Sequence, residues 1–496
     1  MFSLEKLKDL YTSLYFFFPE IFMVVGAFLA LLLGLFLKKN QFSIVSNCVL
    51  IILVISIYQI LQLNYSEGIF IFNGSLLISR FTEYSKIIII ICNIIILLNI
   101  QAREYKEKKY SFEAPILMLL ITIGMCVFVS SSSLITLYLG LELFSLGTYV
   151  LIAWNKRDAK SIEASLKYFI LGSISSGIFL FGASFIYGST GSVNFLDIVA
   201  NYSEVKFLDY HQYTQNLLMI IGLIMVVITM MFKLSLFPFH NWTPDVYEGS
   251  NDEIVILLAS SIKYAALIVF IRLLFGPFLI IKDQLQIIIG IISISSMLFG
   301  NIAAIMQNNL KRLIAYSSIG HMGFVLMSVI MYSTEYLSFT IFYAITYIIS
   351  IMTFFIIVGI LGRYKTFDYK LKSLRGMIKN NPFLAFGLLV VVFSMAGIPP
   401  FAGFFAKFYI FLGIMKSQLY YLALIGFIAF VLGIFYYLNI IRYMYFEKSE
   451  HSVVKIEINF VERILLFSGV MYNLLYIFFP SQIMGIIDHY ITSKIL

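Results

Sequence analysis

Residues 216–240 read NLLMIIGLIMVVITMMFKLSLFPFH, an apolar run of membrane-spanning length that meets a lysine, Lys233, five residues before Pro238. An ammonium near the bilayer midplane costs roughly 2.5–3.5 kcal/mol on insertion scales, so such a residue marks a functional site by default. Pro238 has no N–H to give to the carbonyl of Leu234, and its ring crowds that turn; the helix is expected to break beside the charge. Helices broken at membrane depth are tolerated where they line a cavity, not where they face lipid.

The rest of the chain belongs to the same environment. Hydrophobic residues make up 61% and charged residues 12% of the 496 positions, with a mean hydropathy of +0.95. A soluble domain carries about 25% charged residues, so the composition specifies an all-α polytopic protein whose main partner is the lipid bilayer. The net charge of +8 comes from basic residues between apolar runs, not from a stripe on a soluble domain. It serves as a topology signal and implies no nucleic acid. Cys48, Cys92 and Cys126 stand singly in apolar segments, without the paired spacing of a metal site, an iron–sulfur cluster or a disulfide, and are expected to be packing residues. No G-x-G-x-x-G or Walker loop occurs, so any redox chemistry must take place elsewhere. The opening MFSLEKLKDL lacks the pattern of a removable signal.

Windows of about 20 apolar residues give about fourteen spans. They lie near 16–37, 42–63, 76–99, 115–130, 133–154, 164–188, 216–237, 253–275, 284–306, 311–332, 336–361, 383–414, 418–445 and 460–480. Loops after odd-numbered spans hold roughly twenty Lys and Arg against about six on the other side, which places the odd loops inside and both termini outside. Lys38, Lys39, Arg103, Lys106, Lys108, Lys109, Lys156, Arg157, Lys311, Arg312, Arg363, Lys365, Lys370, Lys372, Arg375 and Lys379 carry that signal. The loop after span seven is acidic, through Asp245, Glu248, Asp252 and Glu253, but acidic residues weigh little in the orientation rule.

A second interruption lies in FSMAGIPPFAGFFAKFYIFLGIM, where Pro399 and Pro400 break span twelve and Lys407 follows two turns later. Lys233 precedes its break in a span running inward; Lys407 follows its break in a span running outward. Paired interruptions of opposite polarity are the trace of an inverted repeat. The expected organisation is residues 1–113 as helices one to three, 114–282 and 283–448 as two inverted five-helix repeats, and 449–496 as helix fourteen and a tail.

Other ionisable residues fall within the spans. Glu142 is well inside span five and should pair with a cation, for which Lys233 is the natural partner. Lys263 stands in the middle of ILLASSIKYAALIVFIRLL with nothing in its own helix to neutralise it. Glu163 and Lys167 are spaced to pair on one helix face, as a structural or a functional couple. Arg80, Glu83 and Lys86 open span three and are expected to snorkel to the interface. Lys311 opens span ten; His321, three turns on, and His240, just past the first break, could relay protons or be satisfied core histidines. How firmly a buried ammonium holds its proton depends on whether a carboxylate is near, so a file of lysines joined by water, Ser, Thr and Tyr suits stepwise proton movement.

The stretches SLITLYLGLELFSLGTYVL, SIEASLKYFILGSISSGIFLFGASFIYGSTG, FKLSLFPFHNWTPDVYEGS, NNLKRLIAYSSIGHMGFVLM and FSMAGIPPFAGFFAKFYIF resemble those of the antiporter-like membrane subunits of respiratory complex I, in the branch called subunit 2 or, in bacteria, subunit N. The resemblance spans about residues 15–480. It implies fourteen helices, two inverted repeats, breaks in helices seven and twelve, Glu142 and Lys233 as an ion pair, Lys263 as the central lysine and Lys407 as the terminal one. This chain reads SNDEIVILLAS where the family often has prolines at the start of helix eight.

The resemblance further implies a non-redox core subunit of a proton-pumping NADH:ubiquinone oxidoreductase, which carries protons while quinone is reduced elsewhere. No cofactor is expected on this chain; FMN, iron–sulfur clusters, NADH and quinone would belong to partner subunits, among them neighbouring antiporter-like subunits. Two alternatives are a subunit of a multi-subunit cation/proton antiporter and a structural spacer of the membrane arm. The heavy use of Ile, Phe, Tyr, Asn and Lys points to an AT-rich genome. That favours a mitochondrial inner-membrane protein with both termini toward the intermembrane space over one of a bacterial plasma membrane.

Overall fold

The structure, a computed structural model, describes residues 4–63, 65, 68–107, 110–203, 210–364, 367–448 and 456–491. Lys108, Lys109 and Lys365, three of the basic loop residues, lie outside these. With no water in the bilayer core, each segment must satisfy its own backbone, and the chain is accordingly helical almost throughout. It opens with α1 (Leu4–Phe16), α2 (Phe18–Phe36), α3 (Gln41–Gln62) and α4 (Arg80–Glu107). Next come α5 (Glu113–Ser130), α6 (Leu134–Ile152), α7 (Ala159–Thr190), α8 (Phe195–Ser203), α9 (Tyr210–Lys233), α10 (Trp242–Gly249), α11 (Asp252–Ala259) and α12 (Ser261–Leu274). The second half holds α13 (Lys282–Ile305), α14 (Leu310–Val329), α15 (Thr334–Leu361), α16 (Met377–Asn380), α17 (Pro382–Ala396), α18 (Ala402–Lys416) and α19 (Tyr420–Tyr445). The chain closes with α20 (Phe460–Leu475) and α21 (Pro480–Ile491).

Each stretch expected to span falls on one of these helices or on a broken pair. By length and composition, 11 helices among the described residues suffice to cross a membrane. The seventh and twelfth spans, divided as α9/α10 and α17/α18, and the span at α14 fall outside that number. Span eight is interrupted too, which was not expected: α11 gives way to α12 at Ser260, with φ −111° and ψ −90°. The start of span three is also corrected. Residues 76–78 belong to a short antiparallel hairpin, β1 (Ile69–Ile71) with β2 (Leu76–Ile78), and α4 begins only at Arg80.

Helix ends carry ordinary chemistry. Ser133 caps α6 by accepting from the Thr136 N–H, Asp158 caps α7, and Asn309 accepts from both Lys311 N and Arg312 N at the start of α14. Where α7 crosses α9, Gly182 and Gly222 face each other's carbonyls so closely that a Cβ on either would meet backbone at 2.6–2.7 Å. Small residues allow this approach, as is usual between membrane helices.

Helices α2, α3 and α4 pack together and against α5. The α11–α12 unit is enclosed on all sides, touching α4, α5, α9 and α15. The pairing of α5 with α6 recurs as α13 with α14, and that of α7 with α9 and α10 recurs as α15 with α17 and α18. In contrast, α2, α3, α6 and α7 leave long side chains such as Phe28, Val54, Leu139 and Phe181 exposed on their outer faces.

Candidate functional site

Lys233, Lys263 and Lys407 all reach the interior, the first two held by serine hydroxyls and the third by backbone carbonyls. Lys233 is the last residue of α9 and 1% exposed. Its Nζ donates to Ser145 Oγ at 2.8 Å and lies 5.4, 5.6 and 5.8 Å from the ring centroids of Phe144, Tyr168 and Phe232. One hydroxyl and three aromatic rings thus replace its hydration. Glu142, three residues before Ser145 on α6, is only half-buried and accepts a hydrogen bond from Ser176 of α7. The direct Glu142–Lys233 ion pair expected from sequence is therefore not formed. Each group has its own serine instead, because Ser145 occupies the part of α6 that meets the end of α9 while the carboxylate turns toward α7.

Lys263, in the first turn of α12 and 2% exposed, donates to Ser318 Oγ of α14 and lies 5.9 Å from the Tyr247 ring. Tyr247 arrives on α10, the short helix after the first break, which packs on both α7 and α14. Tyr168 and Tyr247, whose rings lie near Lys233 and Lys263 respectively, have buried hydroxyls without a protein hydrogen-bond partner, as do Ser175, Ser235 and Thr243. Buried groups of this kind call for water.

Lys407 on α18 donates to the carbonyls of Met395 and Ala396 at 3.0 and 3.1 Å. These are the last residues of α17, so the ammonium meets carbonyls that the break leaves open and the negative end of the helix dipole. The rings of Phe430 and Phe324 lie at 4.9 and 5.5 Å. Gly397 caps α17 at φ +82°, and a Cβ there would meet Lys407 Cδ at 2.9 Å. Only glycine combines that conformation with that clearance. The breaks themselves contain cis Phe237–Pro238 and cis Pro399–Pro400 peptides.

His321 is placed between the elements that carry the last two lysines. It lies one turn beyond Ser318 on α14; its Nδ1 is 2.7 Å from Tyr343 Oη and its Nε2 2.9 Å from Tyr437 Oη. A cavity of about 20 Å3 lies between His321 and Lys407, with Tyr343, Thr346 and Tyr347 in its wall. That is room for about one water molecule.

The remaining sequence candidates lie apart from one another. Lys311 is not a loop cation but a buried one: its Nζ lies 2.8 Å from Asp252 Oδ1 and 4.4 Å from the Tyr369 ring. Arg103 of α4 pairs with Glu253 and lies 3.4 Å from Asp252, while Tyr369 Oη donates to Asp252 at 3.1 Å. Four residues read from sequence as loop charges therefore form one enclosed, balanced network. The physical reason is that each finds its counter-charge only when α4, α11 and α14 converge. Glu163 and Lys167 do pair, at 2.6 Å, but at the surface, in a chain that continues from Lys167 to Asp245 and from Asp245 to Arg312 at 2.8 and 2.6 Å. Partial burial pushes the Asp245 carboxyl up, yet its bonds to Lys167 and Arg312 prevail and hold it below the usual carboxylate range. His240 packs against Phe237 and Phe299, with Nδ1 unpartnered and no contact to any of the lysines. Glu83 and Lys86 do not snorkel; both are buried with Glu20, whereas Arg80 is exposed.

Ser145, Ser176, Ser318, Tyr343 and Tyr437 escaped the sequence reading. Helical spacing could have found two of them: Ser145 follows Glu142 by three residues and Ser318 precedes His321 by three. Among the described residues, no group of three or more His, Cys, Asp or Glu is placed to hold a metal ion.

The sequence profile of the family described as NADH:quinone oxidoreductase/Mrp antiporter, TM, matches residues 131–433. The NADH-quinone oxidoreductase subunit N of Pelagibacter ubique is 40% identical over 477 residues, covering 96% of this chain and 98% of that protein. Two solved structures share the fold. A chain of respiratory complex I from Thermus thermophilus superposes with a TM-score of 0.76 at 24% identity, covering 94% of this chain and 98% of the other. A chain of the Mrp complex from Dietzia sp. superposes with 0.78 at 16% identity, covering 96% of each. With its enclosed lysines, its broken helices and this degree of identity along nearly its whole length, the chain belongs to the NADH:quinone oxidoreductase/Mrp antiporter family of multi-pass membrane subunits, among its NADH-quinone oxidoreductase subunit N members.

Proposed function

We propose that this chain is a proton-translocating membrane-arm subunit of an NADH:ubiquinone oxidoreductase, with Glu142, Lys233, Lys263 and Lys407 as its relay. The observation that carries the reading is the alignment of buried groups in which Lys263 donates to Ser318, His321 stands one turn further along the same helix, and His321 and Lys407 line one water-sized cavity. Tyr168 and Tyr247 extend the run toward Lys233, and Ser145 and Ser176 extend it from there to Glu142. A charge change beside Glu142 would alter how firmly Lys233 holds its proton, and the disturbance would pass along the lysines. The chain contributes no redox group to this work. FMN, iron–sulfur clusters, NADH and quinone sit in partner subunits, whose reaction supplies the energy.

The recurring helix pairings support residues 114–282 and 283–448 as two inverted repeats, with 1–113 and 449–496 flanking them. The positive-inside count supports a topology with both termini on the outer side. The subunit N relative named above is bacterial, which supports a bacterial plasma membrane over the mitochondrial inner membrane that composition alone favours.

The test is NADH-driven proton pumping in vesicles whose complex carries Lys263→Met. Pumping should fall at least several-fold while the complex still assembles; undiminished pumping in an assembled complex would sink the relay. The likeness to a Mrp chain keeps cation/proton antiport as the second reading. Co-purification with flavin- and iron–sulfur-bearing subunits separates the two.

A further inference from the structure

Glu20, Glu83 and Lys86 form a second enclosed charge cluster, in the N-terminal helices and apart from the lysine run. Glu20 lies in the first turn of α2, and Glu83 and Lys86 in the first two turns of α4; their exposures are 1%, 4% and 1%. Lys86 Nζ is 2.6 Å from Glu20 Oε1 and 2.8 Å from Glu83 Oε1. Glu20 Oε2 and Glu83 Oε2 have no hydrogen-bond partner. The other titratable groups bearing on the cluster are Cys126 from α5 and Tyr65 ahead of the hairpin; Tyr84 and the exposed Arg80 at the start of α4 bear on Tyr65.

The charge count is the decisive fact. Two carboxylates share one ammonium, and no backbone N–H among the described residues donates to either carboxylate. With both ionised, the cluster would hold one uncompensated negative charge in an apolar enclosure. Such an enclosure is costly enough that a buried carboxyl neutralises instead. Two carboxyls linked through a common ammonium titrate as a pair rather than singly.

We propose that Glu20, Glu83 and Lys86 bind one exchangeable proton, shared between the two carboxyls and held against the lysine, as a proton site of the N-terminal helices separate from the lysine relay. The inference does not depend on the relay reading, since it needs only the enclosure and the charge count. Each single glutamine substitution, Glu20→Gln or Glu83→Gln, then removes the proton and leaves a balanced ion pair.

The test is infrared difference spectroscopy of the assembled complex in membranes at neutral pH. The wild type should show the carbonyl stretch of a protonated carboxylic acid, shifted in D2O, and each single glutamine variant should lose it. A band that persists in both variants, or is lost in only one, overturns the shared site; a band indifferent to D2O overturns the exchange. Should the glutamine variants fail to assemble, Lys86→Met supplies a second measurement. Without its ammonium both carboxyls should be protonated, and the band should grow to about twice its size; an unchanged band overturns the proposal.

Discussion

At the scale of single residues, Lys407 shows how a buried charge is made tolerable. Its ammonium takes the place of the next turn of α17, accepting the company of two carbonyls that the break would otherwise strand. Gly397 makes this possible by adopting φ +82° and leaving the space a side chain would fill. Gly397→Ala should therefore cost about 1 kcal/mol or more from the left-handed conformation alone, and should also push Lys407 off its carbonyls. A lowered thermal stability of the complex together with reduced pumping is the expected result, and unchanged values of both would refute the packing account. Lys233, Lys263 and Lys407 were legible in the sequence because a charge in an apolar run stands out. Ser145 and Ser318 offered only their helical spacing from Glu142 and His321, because a hydroxyl in a membrane helix is ordinary and gains its meaning from the ammonium brought to it, while Ser176, Tyr343 and Tyr437 offered no such signal.

At the scale of elements, the interruptions do most of the positioning. Ending α9 at Lys233 frees the chain to turn through residues 234–241 and to deliver Tyr247 on α10 beside Lys263. Trp242 secures that turn by donating from its indole nitrogen to the Phe232 carbonyl at 3.1 Å. A comparable device closes α5. Arg272, fully enclosed on α12, donates to the carbonyls of Val129 and Ser131, the latter at 2.8 Å. Arg272→Met should leave those carbonyls buried without a donor, at about 1–3 kcal/mol, and lower the yield of assembled complex; Arg272→Lys should restore part of it. The breaks at Pro238 and at Pro399–Pro400 could be read from sequence because proline acts locally. The break at Ser260 could not, since no residue there forbids a helix and the bend answers to the packing around it.

At the scale of the whole molecule, the network of Arg103, Asp252, Glu253 and Lys311 ties α4, α11 and α14 together around the most enclosed part of the fold. Removing one member of a buried ionic group typically costs about 3–5 kcal/mol, because the partners stay buried without it. Arg103→Met should accordingly reduce assembled complex sharply, and adding Glu253→Gln should recover much of the loss by restoring the balance of charge. If the double variant fared no better than the single, measured as complex recovered from membranes, the network would not be acting through charge. The sequence by itself determined the membrane class, the positions of the apolar spans, the proline breaks and the lysines set within apolar runs, because hydropathy, ring closure and an isolated charge are properties of a few adjacent residues. Only the tertiary structure decided that Glu142 meets a serine rather than Lys233, that His321 shares a cavity with Lys407, and that Arg103, Asp252, Glu83 and Lys86 are interior. Each of those outcomes depends on which distant helix supplies the counter-charge or the hydroxyl, and in a low-dielectric interior that choice sets the energy of every buried polar group.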